Sequence, residues 1–229
     1  MNKGSVDEYL ELDETLNPID SLETIVDLLS CENPKWKFSV IAFHHSIYCF
    51  AVANLATSNY KVVTNFYSNE DDGWRTFENG KTYISKKEWI NKKVGSYKII
   101  WDEIEENIVK DAPMKDFFEH SNEKLINFWT AIARVTDGKS WMKRFTVSKP
   151  LIMNDSQWES LGIIHQLRNQ FLHYIPMGYA IEIDFIKQHL KNLIEPINFL
   201  ALETGQLIYA YEEDRLRVKE VIKKIENLL

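Results

Sequence analysis

The sequence predicts an all-α fold, a bundle of four to five long helices with an irregular insertion near residues 57–96. Three observations predict it. Glycine and proline are scarce, 8 and 6 in 229 residues, which leaves little turn chemistry for a β-sandwich or barrel. Apolar residues make up 45% of the chain, enough for a sizeable core. Outside the insertion those residues recur at spacings of three and four, the period of a helix that buries one face. The length suits a single domain spanning 1–229.

Residues 1–16 are acidic, with apolar points at Tyr9, Leu10, Leu12 and Leu16, and Asn17-Pro18 breaks that segment. Asp20 followed by Glu23 reads as an N-cap with its reciprocal partner, opening a short helix through Ile25, Val26, Leu28 and Leu29. The first long helix runs from Trp36 to about Ala56. Trp36, Val40, Phe43, Ile47, Phe50 and Asn54 mark one face, and Ile41, Tyr48 and Val52 the other. A helix apolar nearly all round belongs in the middle of a bundle. Between 57 and 96 the chain turns polar and aromatic, and Asn79-Gly80 between β-prone flanks signals one short hairpin. Helical spacing returns over 97–110 and again over 116–135, where Phe118, Leu125, Trp129 and Ile132 share a face and Gly138 follows as a stop.

Residues 139–150 form a basic loop. Ser156 with Glu159 three residues on reads as a capping box for a helix running to about His173, which Pro176 closes. A helix over 184–202 is expected to bend at Pro196. After Gly205 a last helix spans 206–229, with an apolar seam at Val218, Val221, Ile222, Ile225, Leu228 and Leu229.

The net charge of -7 excludes a general nucleic-acid coat but leaves room for a local basic patch. Cys31 and Cys49 lack metal-type spacing and read as the reduced thiols of a cytoplasmic protein. The acidic N-terminus has no apolar signal core. The apolar run 40–55 is interrupted by His44, His45, Ser46 and Asn54, so a core helix is expected there and no membrane span.

The densest chemistry lies in Leu167-Arg168-Asn169-Gln170-Phe171-Leu172-His173-Tyr174. Cleaving RNA without a metal requires a base for the 2′-hydroxyl proton, a cation for the charge on five-coordinate phosphorus, and an acid for the leaving 5′-oxygen. Histidine suits both proton roles because it titrates near neutrality. The planar arginine fork suits the charge. Asn169 and His173 share a helix face, whereas Arg168 and His173 differ by about 140° on an ideal helix. So either the helix loosens at its end, or Arg168 reaches around, or two copies share one cleft.

Arg168-Asn169-x-x-x-His173 resembles the signature of the HEPN superfamily, an arginine followed by asparagine with a histidine four to six residues beyond. Residues 168–182, with their Pro-x-Gly-aromatic-x-x-Glu continuation, resemble a bacterial branch of it, and residues 36–55 resemble that branch's first long helix. The resemblance implies a HEPN-like helical bundle that forms a homodimer, with the motif helices of two protomers lining a shared cleft. It implies a metal-independent endoribonuclease in a toxin–antitoxin or antiviral defence setting, with RNA as substrate, no cofactor and an antitoxin or defence-system protein as partner. His173 is then the general acid–base, Arg168 the stabiliser of the transition state and Asn169 the group that positions substrate. Tyr174 and His44, on or beside the motif helix, are expected near substrate. A subset of the superfamily carries tyrosine two positions after the histidine. This chain has Ile175 there, so tyrosine AMPylation is not expected at that site.

Lys143 and Arg144, in the basic stretch that also holds Arg134, Lys139 and Lys149, are candidate RNA contacts, though a solvated loop explains them equally well. For Arg168 and His173 the plain alternative is a helix-end cluster, with Arg168 paired to Glu159 or Glu182 and His173 capping. His44 is read first as a hydrogen-bonded core histidine. His165 and His173, eight apart, do not form a metal pair, and no metal is expected. A catalytically inactive RNA-, nucleotide- or protein-binding module, and a structural dimer without nucleic-acid role, remain the rival classes.

Overall fold

The computed structural model describes residues 13, 15–56, 77–78, 81–82, 125–138, 141–142, 145–173 and 180–229. These residues fold as an all-α bundle built around one central helix. Helix α1 covers Leu16–Ser30 and α2 covers Trp36–Leu55. The α1 start differs from expectation. Asp13 Oδ1 accepts hydrogen bonds from the backbone N–H groups of Thr15 and Leu16, each 2.6 Å, and so opens the helix one turn before Asp20. Pro18 therefore sits in the first turn, where its missing N–H has no intrahelical partner to lose.

The two-faced apolar pattern of α2 has its expected outcome. Val40, Phe43, Ile47 and Phe50 are buried to within 1%, and α2 packs against α1 and against four later helices. This is the one described helix long and apolar enough to cross a membrane by length and composition, and its neighbours in the bundle cover most of it.

In the insertion, strands β1 (Phe77–Glu78) and β2 (Lys81–Thr82) pair antiparallel, Phe77 opposite Thr82, in keeping with the hairpin that the sequence signals. The rest of the 57–96 insertion, the helix expected over 97–110 and the first half of the one expected over 116–135 lie outside the described residues.

Helix α3 covers only Phe128–Val135, because Leu125 to Asn127 are not helical. Asn127 caps it, its Oδ1 accepting from the Thr130 N–H at 3.0 Å. Helix α4, Asp155–Leu172, is the motif helix. Its capping box is made by Asn154 and Gln157, not Ser156 and Glu159. Asn154 Oδ1 accepts from the Gln157 N–H at 2.9 Å, and Gln157 Oε1 accepts from the Asn154 N–H at 3.0 Å. Glu159 is left exposed.

The segment expected as one bent helix over 184–202 is two helices, α5 (Ile183–Asn192) and α6 (Ile194–Leu202), broken at Leu193. Pro196 explains the position. Its ring would strike the carbonyl four residues earlier, which belongs to Asn192, the last residue of α5.

The last helix, α7, covers Glu212–Leu228, shorter at its start than expected. Residues 206–211 are held outside helical geometry by tertiary bonds, among them Tyr209 Oη donating to the Ala201 carbonyl at 3.0 Å. The α7 seam is filled from within the chain. Val218, Val221, Ile222 and Ile225 are buried, and α7 packs against α1 and α6. Arg217 of α7 donates to both carboxylate oxygens of Glu23 on α1. The seam is thus not a free dimer surface.

A buried polar network joins the end of α2 to α6 and the segment beyond. Asn54 Nδ2 donates to the Phe50 and Leu200 carbonyls, both at 2.7 Å. Its Oδ1 accepts from Thr204 Oγ1 at 2.5 Å, and its backbone carbonyl accepts from Gln206 Nε2 at 2.7 Å.

Gly205 follows with φ +70°, the left-handed region that glycine tolerates. A Cβ there would lie 2.8 Å from the Val147 carbonyl oxygen. Both effects oppose a side chain. Gly205→Ala is expected to destabilise by about 2 kcal/mol through strain and overpacking, seen as a lower urea midpoint at unchanged slope. A midpoint equal to that of the parent would contradict this packing.

Candidate functional site

Helix α4 carries Arg168 and Asn169 in its last turn, and the helix ends at Leu172. His173 is the C-cap. Its backbone is extended, φ -96° and ψ 93°, and its N–H donates to the Asn169 carbonyl at 2.9 Å. The 140° separation of an ideal helix therefore does not bind His173, which leaves the helix at that residue and is exposed.

Arg168 Nη1 donates to Asn169 Oδ1 at 2.8 Å. Because guanidinium only donates, this fixes which end of the Asn169 amide is oxygen. The other end, Nδ2, donates to His165 Nε2 at 3.2 Å, one turn back. His165 Nε2 is then an acceptor, so its proton is on Nδ1, which donates to His44 Nε2 of α2 at 2.9 Å. His44 in turn carries its proton on Nδ1. One direction of donation thus runs from Arg168 through Asn169 and His165 to His44. The sequence reading anticipated His44 beside the motif helix but gave His165 no role other than a rejected metal ligand. The signal that finds His165 is its spacing, four residues before Asn169 on one helix face.

The imidazoles sit in an aromatic cluster. The His44 ring stacks on Phe128 at 4.1 Å between centroids, and Phe128 stacks on His165 at 5.0 Å. Trp129 meets Phe128 edge-on at 5.1 Å. Burial drives the His44 pKa well below its ordinary value, and the neighbouring His165 imidazole, the Arg168 guanidinium and His45 oppose a charge there as well. His44 is therefore neutral near pH 7. A polar, hydrogen-bonded core histidine describes it, and its low pKa makes it a poor proton shuttle.

His45, the next residue, is tied to α1. Ser21 Oγ donates to the Asn17 carbonyl at 3.1 Å and so accepts from His45 Nδ1 at 2.7 Å. His45 Nε2 then accepts from the Cys49 thiol at 3.4 Å. Burial pushes that thiol up to about 12, so it stays protonated. Cys31 and Cys49 are both free.

Between α2, the start of α3 and α4 lies a cavity of about 360 Å³. Helix α2 contributes Ile41, His44, His45 and Tyr48, α3 and its cap contribute Asn127, Phe128 and Trp129, and α4 contributes His165 and Arg168. Tyr48 Oη is committed to the Ile126 carbonyl at 2.5 Å. No group of three or more His, Cys, Asp and Glu side chains among the described residues is arranged to hold a metal.

Of the expected substrate contacts, Lys143, Arg144 and Tyr174 lie outside the described residues. Arg134, expected in the basic stretch, is instead buried, its guanidinium 4.2 Å from the Trp141 ring. Desolvation lowers its pKa to about 10. It is a packing residue of α3 and not part of a surface for RNA.

The histidines make stability depend on pH. Burial lowers the pKa of His44, of His45 (reinforced by Arg168, opposed by Asp20) and of His189 (opposed by Glu159). Below about pH 6.5 the unfolded chain binds protons that the folded chain refuses. Stability is thus complete above that pH and is lost as the pH falls through the window toward the folded values. The melting temperature is expected to drop between pH 7.5 and 5, and His44→Phe, which keeps the ring stack, is expected to shallow the drop. An equal drop in His44→Phe would remove His44 from the effect.

Comparison with models of protein families, with curated proteins and with solved structures yields no match for this chain, so the site is interpreted from its own residues.

Proposed function

We propose that the chain is a metal-independent endoribonuclease of the HEPN type, acting in a toxin–antitoxin or antiviral defence setting. The observation that carries the reading is the held guanidinium. Arg168 lines the cavity and is tied through Asn169 and His165 to the core of α2, while His173 leaves the helix five residues later and stays exposed. A cation fixed before substrate arrives stabilises developing charge without reorganising.

In the reaction, neutral His173 takes the proton of the 2′-hydroxyl as that oxygen attacks phosphorus. Arg168 holds the oxygens of the five-coordinate phosphate. The P–O5′ bond breaks, O5′ takes a proton from an imidazolium, and a 2′,3′-cyclic phosphate remains. In a homodimer the second protomer supplies that imidazolium, since one His173 cannot be base and acid in the same step. Asn169, whose side chain bridges Arg168 and His165, acts as a positioning residue for Arg168, and its second amide N–H is left to position substrate. Any role for Lys143, Arg144 and Tyr174 is as added RNA contacts.

The test is cleavage of mixed cellular RNA in EDTA by the purified chain. Fragments with cyclic-phosphate ends, absent with His173→Ala, support the reading. Intact RNA overturns it and favours the second reading, a catalytically silent RNA-, nucleotide- or protein-binding module.

A further inference from the structure

We infer that the cavity between α2 and α4 takes the nucleobase of a ribonucleotide whose phosphate rests on Arg168. This rests on the proposed reading for the phosphate, and extends it by assigning a base pocket within one protomer.

Three features argue for a flat, acceptor-bearing ring. The walls are largely aromatic, from Tyr48, Phe128 and the stacked imidazoles, and such walls suit a planar heterocycle. In a chain of net charge -7, the described cavity lining includes one guanidinium and no carboxylate, which suits a ligand with an attached anion. The lining offers hydrogen-bond donors. The direction of donation leaves His44 with an N–H at Nδ1. Asn127 Oδ1 is occupied by Thr130 N and Oγ1, leaving its amide NH₂. The Tyr48 hydroxyl proton and both His45 nitrogens are engaged elsewhere. A base edge rich in acceptors, such as the O6 and N7 of guanine or the two carbonyls of uracil, matches donors. Adenine, which presents an NH₂ donor beside N7, matches less well.

The test is a titration of the purified full chain with GMP, UMP, AMP and ribose 5-phosphate, read by calorimetry. GMP or UMP is expected to bind at least tenfold tighter than AMP and ribose 5-phosphate. Ile41→Trp, which places an indole in the cavity, is expected to lower nucleotide affinity to that of ribose 5-phosphate. Ile41→Phe serves if the larger ring prevents folding. Equal affinity for ribose 5-phosphate and the nucleotides, or nucleotide affinity unchanged in the filled variants, overturns the pocket. Selective nucleotide binding with RNA left intact keeps the pocket and removes the ribonuclease. Cleavage of RNA with no nucleotide preference does the reverse.

Discussion

Arg168→Ala is expected to slow single-turnover RNA cleavage by about 10²–10³-fold, the usual consequence of removing one preorganised charge stabiliser. His173→Ala is expected to slow it by about 10²–10⁴-fold, since a proton transfer then falls to water. Neither change should unfold the chain. His173 is exposed, and Arg168 is half-buried beside a helix whose apolar side, Trp158, Leu161, Ile164 and Leu167, remains packed. Arg168→Lys is expected to recover little, because a lysine lacks the planar fork that both meets Asn169 Oδ1 and grips a phosphate. Full activity in either alanine variant, at matched melting temperature, would take that residue out of the reaction.

The largest effect on stability is expected at Asn54. Asn54→Ala strips a donor from the Phe50 and Leu200 carbonyls and an acceptor from the Thr204 hydroxyl, all inside the bundle. The Phe50 carbonyl keeps the helical N–H of residue 54, but the Leu200 carbonyl, in the last turn of α6, and the buried Thr204 hydroxyl keep no replacement from the alanine. Leaving such groups unpaired costs about 3 kcal/mol in total, or a melting temperature lower by roughly 6–12 °C for a domain of this size. Asn54→Leu should do no better, since it adds volume to a filled site. A loss under about 1 kcal/mol would mean that the network relaxes onto other partners.

Much of this fold is legible in the sequence because its signals are local. The all-round apolar pattern of α2 gives its central place, and the Asn-Gly signal between β-prone flanks gives the strand pairing. The misplaced boundaries share a cause, which is that several residues compete for one role. Asn154 and Ser156 are both good N-caps, and Asn154 takes the role because Gln157 returns its bond, so that two backbone N–H groups are satisfied at once. The break before α6 was displaced because a proline acts on the turn before it and not on its own position. For the site, Arg168, Asn169 and His173 stand together in the sequence. The spacing of His165 places it on one face with Asn169, but its meeting with His44, 121 residues away, is reported by no periodicity within one helix. Arg134 shows the converse. The sequence groups it with the basic residues of 139–149, yet it is buried at the end of α3 with its guanidinium over the Trp141 ring.

The union of α1 with α7 has a kinetic consequence. The Glu23–Arg217 contact joins residues 194 apart, so closing that seam costs more chain entropy than closing any helical hairpin within the bundle. Long-range contacts of this kind form late in folding. Truncations in the α7 seam, such as Ile222→Ala, should therefore accelerate unfolding while leaving the refolding rate nearly unchanged. Proteases should find α7 first: it is the outer stave of the barrel, the last one set in place and the first to work loose.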